Sequence, residues 1–109
     1  MKTRRKMDMM EKLTGADFRP HLNQTFRIHK ESSEPLESEL IEVSDVGPDS
    51  REGEAAARRS FSILLRGPAE PVLPQAIYRI EHGEMGTLDL FLVPIGPDNQ
   101  GMRYEAVFN

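Results

Sequence analysis

Residues 78–92 read Tyr78-Arg79-Ile80-Glu81-His82-Gly83-Glu84-Met85-Gly86-Thr87-Leu88-Asp89-Leu90-Phe91-Leu92. Tyr78 and Ile80 alternate with Arg79 and Glu81, and Leu88, Leu90 and Leu92 alternate with Asp89 and Phe91. A period of two sends successive side chains to opposite faces of a strand, so this stretch predicts two strands. His82–Gly86 between them holds two glycines and makes a short hairpin loop. The pair is therefore antiparallel, and the same period recurs on both sides of it.

Upstream, Phe26 and Ile28 alternate with Thr25, Arg27 and His29, and Phe61, Ile63 and Leu65 alternate with Ser62, Leu64 and Arg66. Downstream, after the turn cluster Gly96–Gly101, Met102, Tyr104, Ala106 and Phe108 alternate with Arg103, Glu105 and Val107. Leu36–Val43 is a further run whose phase slips, since Leu36 and Leu40 share one parity and Ile41 and Val43 the other. A β-bulge near Leu40–Ile41 absorbs such a slip. Pro68, Pro71 and Pro74 make the link after Gly67 an extended crossing. The predicted fold is all-β: about six antiparallel strands in meander order, forming a small barrel or a sandwich. Pro94 in the fifth strand lacks an amide donor and suits a sheet edge or a strand end.

A short N-terminal helix precedes the strands. Thr14 and Asp17 have capping-box spacing, and Phe18 and Leu22 share a helical face, while Pro20 restricts the length. Met7, Met10 and Leu13 are also helically spaced, so an earlier start stays open.

The chain has 109 residues, a single domain's worth, divided as a flexible basic arm over 1–12 and one β domain over 13–109. There is no cysteine, which excludes disulfides, thiolate metal sites and a thiol nucleophile. The net charge of −4 argues against nucleic acid as the main partner. That sum averages unlike regions: residues 30–54 carry nine acids against Lys30 and Arg51, a local net of −7. Lys2, Arg4, Arg5 and Lys6 open the chain; they read as a solvated terminus before they read as a nucleic-acid or membrane-surface tail. Residues 47–57 read as a long hairpin connection, and Arg58-Arg59 as solubility around it. No window has the length of a membrane span, and no apolar leader follows the basic start, so a cytoplasmic location is expected.

Some strands are apolar on both parities. Leu64, Phe91, Val93 and Ile95 lie on the side away from the core, as do Ile77 and Val107. Two explanations compete: the N-terminal helix covers this second face, or the face meets a protein partner or another copy of the chain. Leu64, Phe91, Val93 and Ile95 are the candidate interface.

Residues that could carry chemistry are scattered. His21, His29 and His82 match no zinc spacing, and no nucleophile elbow, phosphate loop or dinucleotide fingerprint occurs. No catalytic, cofactor-binding or metal residue is assigned, no cofactor is expected, and an enzyme is not expected. Arg66, Arg79, Glu81 and His82 form a candidate polar cluster near one barrel mouth, the basis of an alternative reading as a small-ligand-binding β-barrel.

Phe61–Pro68, Leu73-Pro74-Gln75, Tyr78–His82, Leu90–Gly96 and Tyr104–Asn109 together resemble a family of small bacterial domains of unknown function. The pattern of that family runs FSLLFRGP, LPQ, YRLEHP, FLVPIG and YEAVFN, and Phe18, the Phe26 strand and Leu40–Asp45 extend the likeness over about residues 13–109. Leu65 stands where the pattern has Phe, and Gly83 where it has Pro. The resemblance supplies no catalytic residue. It implies a structural or assembly role, as a component of a phage-tail-like or tail-collar-like structure.

Overall fold

A computed structural model describes residues 13–31, 34–45 and 61–108. The basic arm, the 47–57 connection and Arg58-Arg59 lie outside the described residues. A single helical turn, α1 (Gly15–Phe18), runs into a 3₁₀ turn over Arg19–His21. Six strands follow: β1 (Thr25–His29), β2 (Leu36–Asp45), β3 (Phe61–Gly67), β4 (Ala76–His82), β5 (Gly86–Pro97) and β6 (Met102–Phe108).

The strands close into a barrel in the order β1-β2-β3-β6-β5-β4, every neighbour antiparallel. The all-β class and the strand count follow the alternation, and closure decides for a barrel. The order corrects a simple meander. Two three-stranded meanders, β1-β2-β3 and β4-β5-β6, are joined through β3–β6 and β1–β4. Read backward from β6, strands β6, β5, β4 and β3 make a Greek key. A continuous six-strand meander would place β3 against β4. Here the proline-rich link over 68–75 carries the chain across one barrel end instead.

Strict antiparallel pairing fixes two ends. At the first end β1, β3 and β5 begin and β2, β4 and β6 finish; at the second the reverse holds. Inward residues form one core that includes Phe26, Ile28, Leu40, Phe61, Ile63, Leu65, Ile80, Leu88, Leu90, Leu92 and Tyr104. The β2 phase slip is a bulge: Leu40 pairs with Leu65 and Glu42 with Leu64, leaving Ile41 as the extra residue. A second register shift sits at Ile95, between the pairs Pro94–Tyr104 and Gly96–Arg103. Pro94 thus lies at a bulge inside a closed barrel, where its missing donor is tolerated, not at an edge.

The helical segment seals the first end. The Thr14 amide donates to the Asp17 carboxylate at 2.8 Å, and the Asp17 amide donates back to the Thr14 carbonyl at 3.0 Å. This sets α1 so that Phe18 is fully buried, its ring 5.4–6.4 Å from those of Phe26, Phe61 and Phe108. Burying such a side chain is worth about 1.5–3 kcal/mol. The second end is sealed by Leu73 of the proline-rich link, whose amide donates to the Tyr104 hydroxyl at 2.8 Å. The Tyr78 hydroxyl donates to the Pro74 carbonyl at 2.6 Å. Gly101 passes so close to the Gly67 carbonyl that a Cβ there would collide with it.

Candidate interaction surface

Alternation along β4, β5 and β6 leaves every second side chain on the outer wall, and several of these are large and apolar. Ile77 stands opposite Phe91 across the β4–β5 pair, and they are 70% and 49% exposed. On β6 Val107 is 52% exposed, and Ile95, at the register shift of β5, is 40% exposed. Val93 and Leu64 are half-buried and flank Glu105, which pairs with Val93 on one side and Leu64 on the other. The four interface candidates thus belong to one wall, and Ile77 and Val107 enlarge it.

Alpha-helix α1 packs against β2 and β3 and inserts Phe18 into the barrel, so it does not cover this wall. Of the two explanations for the second apolar face, coverage by the helix therefore fails for the described residues, and the earlier start through Met7 and Met10 lies outside them. The outer wall of β1 and β2 has the opposite chemistry, with Arg27, Glu37, Glu39 and Glu42 facing outward.

The four polar candidates are not brought together. Arg66 is near the second end, where its guanidinium donates to Asp98 at 3.0 Å and lies 3.6 Å from Glu39. Two backbone amides hold the Asp98 side chain: Gln100 at 2.8 Å and Gly101 at 3.0 Å. The Gln100 bond, with the contribution of Arg66, keeps the Asp98 carboxyl below its ordinary range. Arg79 and Glu81 are on the outer wall, Arg79 3.8 Å from Asp89 and Glu81 2.9 Å from His29. His82 is buried at the first end.

The surroundings of His82 were not readable from spacing. Its Nδ1 accepts backbone N–H groups from Glu84 at 3.0 Å and Met85 at 3.1 Å, so that nitrogen carries no proton. Its Nε2–H donates to the Gln24 side-chain oxygen at 2.7 Å, and His21 Nδ1 lies 3.0 Å from the same oxygen. The imidazole stacks on Phe26 with ring centres 4.5 Å apart. Burial, and then the neighbouring His21, push the His82 pKa below its ordinary value. Gln24 is linked to His82 across 58 positions, a contact no local pattern carries. An open depression outside β1–β3 is lined by Thr25, Glu37, Glu39, Arg66 and Gln100. Among the described residues no three His, Asp or Glu side chains are grouped to hold a metal, and no helix is long and apolar enough to cross a membrane.

The family model described as Domain of unknown function (DUF6916) matches residues 13–108. The chain belongs to this family. The match spans α1 and all six strands, so the barrel and its helical plug together are the family's unit. No curated protein and no solved structure matches the chain.

Proposed function

We propose that the chain is a non-enzymatic structural or protein-interaction module that works through the outer wall of β4, β5, β6 and β3. The observation that carries this reading is the concentration of Ile77, Phe91, Ile95 and Val107 on one wall, each at least 40% exposed. Isolated exposed apolar residues are ordinary on a soluble domain, whereas contiguous ones mark contact surfaces. A role as an assembly component of a phage-tail-like structure extends the proposal and is supported by the family resemblance alone.

The test places a photo-crosslinking amino acid at position 91, and separately at position 37 on the β1–β2 wall, in cells that carry the chain naturally. Adducts are expected from position 91 and not from position 37. Adducts from neither position, or equally from both, overturn the proposal.

A further inference from the structure

We infer that the wall of β4, β5 and β6 packs against the same wall of a second copy of this chain, about a two-fold axis. This rests on the wall being an interaction surface, and it names the occupant. A two-fold contact sets a patch against itself, so the patch must complement its own charges. A wall of one sign repels its copy; a wall carrying both signs beside an apolar centre can pair with it.

The wall has that composition. On one side of the Ile77–Phe91 pair, the cross-strand neighbours Arg79 and Asp89 have side chains 67% and 63% exposed and lie 3.8 Å apart. On the other side, β6 carries Arg103 and Glu105, two residues apart, with Glu105 opposite Val93. Two cations and two anions thus flank the apolar centre, and Glu81, a third anion of this wall, lies 2.9 Å from His29. The acidic excess of the chain is in residues 30–54, which contribute β2 but none of these strands. A partner recognised by charge alone would need a wall of one sign, whereas a wall with both signs about its apolar centre matches its own copy. Burial of Phe91 and Ile77 supplies the attraction, and the charge pairs set the register.

Light scattering on the purified full chain tests this. The expected mass is twice that of one chain for the wild type, falling twofold to a monomer for Phe91→Glu and for Ile77→Lys with unchanged circular dichroism. Arg79→Asp, which leaves two like charges side by side, is expected to lower the dimer fraction, and adding Asp89→Arg to restore it. A wild-type monomer at all concentrations overturns the inference, as do folded Phe91→Glu and Ile77→Lys variants that remain dimeric. If the wild type is a monomer while position 91 crosslinks to a different protein in cells, the second copy is excluded and the interaction module stands. If it is a monomer and position 91 crosslinks to nothing, both fall.

Discussion

The two ends of the barrel solve the same problem by different means. Each is closed by one apolar side chain, Phe18 at the first end and Leu73 at the second. At the first end the closure is aromatic packing: Phe18 against three other rings, with the imidazole of His82 stacked on one of them. At the second end it is a hydrogen bond and close backbone contact: the Leu73 amide on Tyr104, and Gly101 against Gly67. Dispersion and apolar burial stabilise the first seal, and they are lost in proportion to the atoms removed. The second depends on satisfying one buried donor, so its loss is governed by desolvation of that donor.

The largest effect separating the ends is expected from Phe18→Ala. The ring is enclosed on all sides, so truncation removes its burial and leaves a cavity; the expected loss is about 3–5 kcal/mol. Urea denaturation measures it. A loss below about 1 kcal/mol would mean that α1 is an appendage and that the strands close the first end without it. Tyr104→Phe probes the second end more gently. It keeps the ring in the core and leaves the Leu73 amide without its acceptor, for about 1–3 kcal/mol. Hydrogen exchange at the Leu73 amide should quicken in this variant and stay unchanged in Phe18→Ala. Equal protection of that amide in both variants would show that the Leu73 seal does not depend on the hydroxyl.

Much of this architecture was legible because alternation records which face of a strand meets the core. Phe61, Ile63 and Leu65 declare β3 without knowledge of its neighbours, and the parity change between Leu40 and Ile41 places the bulge. The same alternation is silent on which strand lies beside which. The β3–β6 and β1–β4 pairings are non-local, so the meander was the natural expectation and the Greek key was not visible. Strand direction explains the dispersal of the polar cluster: β3 finishes at the second end and carries Arg66 there, while β4 finishes at the first and carries His82 there. The wall was easier to read, since Phe91 and Val93 are apolar on the parity that Asp89 marks as outward. In the proline-rich link Gln75 is exposed, and Tyr104 and Tyr78 hold the segment through their hydroxyls. An aromatic hydroxyl reaching across a barrel end leaves no periodic trace.

The smallest effect concerns protons, and it separates the two ends by pH window. In the folded chain His82 Nδ1 faces two N–H donors, so a proton there would break both bonds and oppose the hairpin loop over 83–85. His21 faces it from the 3₁₀ turn, Glu84 from the hairpin and Gln24 from the residue preceding β1. Glu84 favours the charged form, but burial and His21 outweigh it, so the folded pKa falls below the unfolded value of about 6.5. Between those two values the unfolded chain binds more protons, and stability therefore rises with pH. The stability is full above about pH 6.5, declines as pH falls toward the folded pKa, and levels off below it, at about 1.4 kcal/mol for each unit of depression. The Asp98 pKa at the second end is also depressed, but because its charged form is the one held by the Gln100 amide and Arg66. Its contribution is present above the ordinary carboxylate range near pH 4 and is lost as pH falls through its folded pKa. Lowering the pH from neutral to about 5 should therefore reduce the protection of the Glu84 and Met85 amides, measured against the free-amide exchange rate at each pH, while the Leu73 amide keeps its protection. Equal loss of protection at both ends would mean that the barrel opens as a unit and that His82 is not the group that titrates its first end.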